Sequence, residues 1–203
     1  FVGVVDKTET SHTKGSTSID TEDLFTYDHM GRLNTQTQEL NSTNVLEVIL
    51  DNTYDELGQL IGKGVGGKTT QSRLQSVDYT YNIRGWLKSI NNVASLGTDL
   101  FGFKINYNTI DHHTPNTGKE LYNGNISEVE WKTSNDNTLR WYKYEYDDLN
   151  RITSAVDDIN RYSLSGMQYD KNGNITNLTR KGHIVANPVS TNSSHFNNMD
   201  VLT

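Results

Sequence analysis

Tyr27-Asp28-His29-Met30-Gly31-Arg32-Leu33 is the stretch that decides how this chain folds, because the chain repeats it. The phrase returns as Tyr54-Asp55-Glu56-Leu57-Gly58-Gln59-Leu60 and as Tyr81-Asn82-Ile83-Arg84-Gly85-Trp86-Leu87. Two later copies are Tyr146-Asp147-Asp148-Leu149-Asn150-Arg151-Ile152 and Tyr169-Asp170-Lys171-Asn172-Gly173-Asn174-Ile175. The tyrosines step by 27, 27, 65 and 23 residues, and a contracted copy, Tyr122-Asn123-Gly124-Asn125-Ile126, divides the long step into 41 and 24. Recurrence at about 20–50 residues marks an array of stacked supersecondary units.

Each copy carries the chemistry of a hairpin turn. Asp or Asn favours the first position of a type I turn and Gly the fourth. Asp28 with Gly31, Asp55 with Gly58, Asn82 with Gly85, and Asp170 with Gly173 all stand at that spacing. A type I turn followed by a left-handed residue makes a three-residue hairpin loop with a G1 bulge. Asp147 is followed at the same spacing by Asn150, and Asn is the residue that best tolerates positive φ after Gly.

The register comes from the turn. With Asp28 and Arg32 flanking the loop, Tyr27 faces Leu33 across the strands. The matching pairs are Tyr54 with Leu60, Tyr81 with Leu87, Tyr146 with Ile152 and Tyr169 with Ile175. Side chains alternate along a strand, so the Tyr and Leu/Ile pair shares one face and the Asp and Arg pair the other. Such aromatic–aliphatic pairs stabilise by roughly 0.2–1 kcal/mol each. The fold class expected is therefore all-β, with antiparallel hairpin repeats joined into a sheet.

Strand-like stretches lie between the turns: Leu24 to Tyr27, Val45 to Leu50, Val77 to Tyr81, Phe101 to Tyr107 and Leu139 to Tyr146. In the last, aromatic residues alternate in part with charge. Val45 to Leu50 has the composition of a helical turn, but its length and β-branched content favour a strand. Glycine-rich Ile61 to Thr70 and the segment Asn108 to Lys119 read as longer loops. Only Pro115 and Pro188 interrupt the ladder chemistry, both in polar contexts.

Composition narrows the function. The 203 residues carry a net charge of −7, with 33% hydrophobic residues, 11 Tyr, 5 Phe and 3 Trp. Mean hydropathy is −0.69 and the isoelectric point about 5.3. That is lean for a compact globule, and it suits a sheet whose aromatic residues bury one face. The acidic balance and the lack of a basic cluster argue against nucleic acid as a partner. No apolar run is long enough for a transmembrane helix. Without cysteine there is no thiol catalysis, disulfide or cysteine–zinc site.

Several residues invite sharper readings. The turn aspartates Asp28, Asp55, Asp147 and Asp170 could suggest acid–base pairs or a calcium ladder, but turn capping explains them and no Asp-x-Asp-x-Asp loop occurs. His112-His113 are read as part of a solvated loop rather than as metal ligands. Gly62 to Thr69 formally satisfies the phosphate-loop pattern, yet it comes after a hairpin strand and precedes no helix pattern. The repeat tyrosines are read as a packed face in preference to a sugar-stacking surface. Trp86 occupies the Arg/Gln position of the phrase, where packing against a neighbouring loop is preferred to ligand binding. No nucleophile–base–orienter set can be assembled, so the chain reads as a non-enzyme without cofactor or metal.

Tyr-Asp-x-x-Gly-Arg-Leu at Tyr27 to Leu33 resembles the YD repeat of bacterial Rhs proteins. Phe101-Gly102-Phe103 through Tyr122-Asn123-Gly124-Asn125-Ile126-Ser127, followed by Trp131, is similar to Rhs sequence too, and the likeness runs from about Leu24 to Leu178. The phrasing looks most like Rhs proteins of Bacteroidetes, with toxin-complex shell components and teneurins as relatives. The resemblance implies a β-ribbon spiralling into a shell, and hence a structural wall segment of a secreted or cell-surface protein that encloses a C-terminal cargo such as a toxin. Partners so implied are the rest of the same polypeptide, a secretion machinery or a surface glycan. The family's aspartate-based self-cleavage segment is not recognisable here. The alternative is a surface adhesin or carbohydrate-contacting array. Residues 1–23 are expected to be a polar connector or incoming strands, 24–180 the repeat array, and 181–203 a polar loop and the start of a further repeat in a fragment of a longer chain.

Overall fold

The computed structural model describes residues 3–69, 71–112, 120–183 and 196–202. They are all-β: 14 antiparallel strands joined largely by hairpins, with no helix among the described residues. Accordingly, no described helix is long and apolar enough to cross a membrane. The chain divides into two compact units, one of residues 1–91 with 97–100 and one of residues 92–96 with 101–203.

The first unit carries β1 (Lys7–Lys14), β2 (Thr17–Tyr27), β3 (Leu33–Leu40), β4 (Leu46–Tyr54), β5 (Leu60–Val65), β6 (Gln75–Tyr81) and β7 (Leu87–Ile90). Each strand pairs with the next in the chain. The second unit repeats that plan with β8 (Phe101–Asn106), β9 (Glu128–Thr133), β10 (Arg140–Tyr146), β11 (Ile152–Asp157), β12 (Leu164–Tyr169), β13 (Ile175–His183) and β14 (Phe196–Leu202).

All five full phrases turn where their Asp/Asn and Gly/Asn residues lie. The N–H of Gly31, Gly58, Gly85, Asn150 and Gly173 donates to the carbonyl three residues earlier at 2.9–3.1 Å. These five residues have φ between 62° and 86°, the left-handed region that selects Gly or Asn. The register is the expected one: Tyr27 faces Leu33, Tyr54 faces Leu60, Tyr81 faces Leu87, Tyr146 faces Ile152 and Tyr169 faces Ile175.

One step out from each pair the ladder slips by a residue. Thr26 faces Thr35, Thr53 faces Gly62, Thr80 faces Ser89, Glu145 faces Ser154 and Gln168 faces Asn177. Asn34, Ile61, Lys88, Thr153 and Thr176 are thus left bulged, which strengthens the right-handed twist locally. Side-chain bonds bridge the step at three of the five places. Thr26 Oγ1 and Thr35 Oγ1 lie 2.6 Å apart, Thr80 Oγ1 and Ser89 Oγ 2.6 Å apart, and Ser154 Oγ donates to Glu145 Oε2 at 3.1 Å.

The loop expected over Ile61 to Thr70 is corrected in its first half, since β5 runs to Val65. Glycines here serve close approach within a sheet, not a loop. A Cβ on Gly64 would fall 2.5 Å from Arg73 Cγ, and one on Gly62 would touch Thr53 Cβ at 3.6 Å. The turn proper is Gly66-Gly67, both at positive φ, and Lys68 then bridges to Glu47. The next element is the strand β6, so the strand–loop–helix context of a phosphate loop is missing among the described residues. Thr70, His113, Pro115 and Pro188 lie outside the described residues, as do Lys119 at the end of the second expected loop and much of 181–203.

The turn aspartates do the capping work. Asp28 Oδ1 accepts from the N–H groups of Met30 and Arg32 at 2.8 and 2.9 Å, and Asp55, Asn82, Asp147 and Asp170 repeat both bonds. Asp147 also takes Arg151 Nε on Oδ2 at 2.7 Å. That hydrogen bond from Arg151 is the main influence holding the Asp147 carboxyl below its usual range. A carboxyl depressed in the folded state stabilises above its unfolded pKa and loses that contribution as pH falls through the folded value. Asp147→Asn should therefore flatten the fall in thermal midpoint as pH drops below about 4, measured against wild type. An unchanged acid slope would remove the Arg151 pairing from the account.

Candidate functional site

The repeat tyrosines are half-buried, and their hydroxyls reach backwards. Tyr54 Oη donates to the carbonyl of Leu33 at 3.0 Å, and Tyr81 Oη to that of Leu60 at 2.9 Å. Tyr146 Oη donates to Ile126 at 2.9 Å and Tyr169 Oη to Ile152 at 2.5 Å. Each acceptor is the last residue of the preceding phrase. Tyr27, which has no earlier copy, donates to Val5 at 2.7 Å. Tyr122 departs from the set: it is exposed, and its hydroxyl donates to Glu120 Oε2 at 3.0 Å.

The sixth position of the phrase reaches forwards. The guanidinium of Arg32 lies 4.6 Å from the ring centre of Tyr54, and that of Arg151 lies 4.4 Å from the ring centre of Tyr169. Such cation–π contacts contribute about 0.5–1 kcal/mol each at exposed sites. The face assignment made from alternation alone did not anticipate this reach into the next hairpin. Trp86, in the same position, is half-buried with Arg84 stacked 5.1 Å from its ring centre. The turn tips themselves expose Met30, Leu57, Ile83 and Leu149.

The chemistry of the second unit collects elsewhere, on one face of β8–β10. Alternation places Lys104 and Asn106, Glu128 and Glu130, and Trp141 and Lys143 on that face, while Phe103, Ile105, Val129, Trp131, Tyr142 and Tyr144 take the other. The register sets Asn106, Glu128 and Lys143 in one row and Lys104, Glu130 and Trp141 in the next. On the apolar side Trp131 stacks on Tyr142 at 5.8 Å, and burial pushes the Tyr142 phenol up to about 12.

The charged side is not wet. Glu128, Lys143 and Ser127 are fully buried and Glu130 is 5% exposed. The segment after β8 folds over them and supplies its backbone. The N–H of Asp111 donates to Glu128 Oε2 at 2.7 Å and that of His112 to Glu128 Oε1 at 3.2 Å, while Asn106 Nδ2 donates to Oε2 at 3.2 Å. Lys104 Nζ joins Glu130 Oε1 at 3.1 Å to the carboxylate of Asp111. Lys143 Nζ donates to the carbonyl of His112 at 2.8 Å and sits over the Trp141 ring. Burial draws the Lys143 ammonium below its ordinary value.

His112 is therefore not part of a solvated loop. Its ring stacks on Trp141 at 5.1 Å with an interplanar angle of 13°, and its Nε2 is buried among carboxylates. None of Lys104, Glu128, Glu130 or Lys143 stood out in the sequence. The signal that could have found them is the pair of alternating runs, Glu128-Val129-Glu130-Trp131 and Trp141-Tyr142-Lys143-Tyr144, in which charge holds a strict face.

No family model and no curated protein matches the chain. Among solved structures it is similar to the crystal structure of TcdB2-TccC3-TEV, with a TM-score of 0.55 and 17% identity over 82% of this chain. It is similar as well to the Photorhabdus luminescens Tc holotoxin pore carrying a TccC3 mutation, with a TM-score of 0.55 and 18% identity over 80% of the chain. The structure of TcdB2-TccC3-Cdc42 matches at a TM-score of 0.54 and 18% identity over 82%. The chain spans 7% of the length of each of these proteins. At such identity the likeness is one of fold: over most of its length this chain folds as a segment of the Tc toxin components does.

Proposed function

We propose that this chain is a wall segment of an Rhs-type shell, carried by a secreted or cell-surface bacterial protein and enclosing a C-terminal cargo such as a toxin. The observation that carries the reading is the backward hydroxyl bond. Tyrosines committed to the preceding phrase are building parts and not a free stacking surface for sugars. The fold shared with Tc toxin components supports the same reading, as does the YD phrasing, with its likeness to Bacteroidetes sequences. The partner on this reading is the remainder of the same polypeptide, and the chain acts as a scaffold and not as an enzyme.

The test is protection. In the polypeptide that carries this segment, a C-terminal domain should resist protease until the shell is denatured, and electron microscopy should show a closed hollow particle. A C-terminal domain cleaved as fast as a free one, together with glycan binding by the 203-residue chain that Tyr54→Ala abolishes, would replace the shell with the adhesin reading.

A further inference from the structure

The charged face of β8–β10 holds a feature that a wall does not need. His112 Nε2 is buried yet makes no hydrogen bond. It lies 4.0 Å from Glu128 Oε1 and 3.7 Å from Glu130 Oε2, and one ligand atom from each of the three residues falls within 4.8 Å of the other two. These separations are too long for a hydrogen bond, and a lone pair on Nε2 would be repelled by the two buried carboxylates unless a proton or a cation lies between. Something positive belongs between them.

We propose that His112 Nε2, Glu128 Oε1 and Glu130 Oε2 form a binding site for a divalent transition-metal ion, zinc by the nature of the ligands. Zinc takes imidazole nitrogen and carboxylate oxygen at about 2.0–2.2 Å in tetrahedral array, which places ligand atoms roughly 3.4 Å apart. A contraction of a few tenths of an ångström brings His112 to both carboxylates. Calcium and magnesium prefer oxygen alone, so the imidazole selects against them. With three protein ligands the fourth position is left to water.

The surroundings hold the ligands in place. Trp141 fixes the plane of the His112 ring. Asn106 Nδ2 and the Asp111 N–H hold Glu128 Oε2, and the His112 backbone N–H steadies Oε1 on the imidazole side. Lys104 engages Glu130 Oε1, which leaves Oε2 turned the same way. The charges facing the site are Asp111, Glu128 and Glu130 against Lys104 and Lys143, with Glu145 farther along β10 and bonded to Ser154. With His112 neutral that set carries one excess negative charge before Glu145 is counted, so a divalent cation is tolerated. The rival occupant is a proton on His112, which would pair with the same carboxylates and leave no room for metal.

The 203-residue chain, stripped with chelator, should bind one equivalent of Zn2+ in a calorimetric titration, and its thermal midpoint should rise on binding. Glu130→Gln keeps an acceptor for Lys104, and His112→Asn keeps a polar side chain at that position. Each should weaken Zn2+ binding roughly tenfold or more and remove most of the metal-dependent rise. Ca2+ should raise the midpoint far less than Zn2+. No binding by wild type would leave the proton as occupant and overturn the site. Equal Zn2+ binding by either folded variant would place the ion elsewhere, and an equal rise with Ca2+ would exclude the imidazole; both overturn it as well. Should one variant fail to fold, the other and the Ca2+ comparison still decide.

Discussion

Tyr54→Ala should lower the stability of the first unit by about 2–4 kcal/mol, somewhat under the cost of deleting a fully buried aromatic. Three losses combine. The ring leaves Leu60, its cross-strand partner, and the Arg32 guanidinium stacked 4.6 Å away. The hydroxyl leaves the carbonyl of Leu33. Tyr54→Phe isolates the loss of the hydroxyl, which also accepts from Asn52 Nδ2 at 3.3 Å, and should cost about 0.5–1.5 kcal/mol, since the packing is kept and Asn52 Nδ2 still has the Leu33 carbonyl. Urea midpoints of the 203-residue chain measure both. Stability untouched by Tyr54→Ala would mean that the repeats do not lean on one another through this residue.

Gly58→Val should be the most harmful of the turn substitutions. Gly58 sits at φ +84°, where a β-branched side chain is strained by about 1–3 kcal/mol. A Cβ there would also fall 2.6 Å from Arg32 Nη1, so the guanidinium must shift from its place over Tyr54. Gly173 separates the two effects, because at φ +86° it has nothing within 4 Å of an added Cβ. Copying the fourth phrase by Gly173→Asn should be close to neutral, as Asn150 already adopts φ 62° in that place. Gly58→Asn should cost measurably more, by up to about the value of one cation–π contact. Equal denaturation midpoints for the two Asn variants would show that Arg32 moves aside freely.

The turns and their register were legible because they depend on neighbours in sequence. Asp28, Gly31 and the pairing of Tyr27 with Leu33 reflect local backbone preference. The bulge at Asn34 and its counterparts was not legible, since a single extra residue leaves the alternating pattern plausible on both sides. Gly62 and Gly64 misled for a related reason: glycine signals a turn or a close approach alike, and only the position of Thr53 and Arg73 distinguishes them. The cluster at Glu128, Glu130 and Lys143 was hidden by a stronger bias. Charged residues in strands read as a solvated face, and nothing local says that the segment around Asp111 and His112 will cover them. His112 was seen in the sequence, but its partners lie 16–18 residues onward, on β9.

The hydroxyls of Tyr27, Tyr54, Tyr81, Tyr146 and Tyr169 all point one way, toward the amino terminus, and that gives the array a direction of growth. A hairpin leaving the ribosome finds its acceptor carbonyl already set in the hairpin made before it, so each addition closes against a finished template and none waits on a segment still to be synthesised. The contact is renewed within about 20 residues each time, which keeps the search for it short. A long β-sheet would ordinarily fold slowly, because its pairings are distant in sequence. Here the assembly can be vectorial, with the newest unpaired edge exposed only for the time it takes to make one more hairpin.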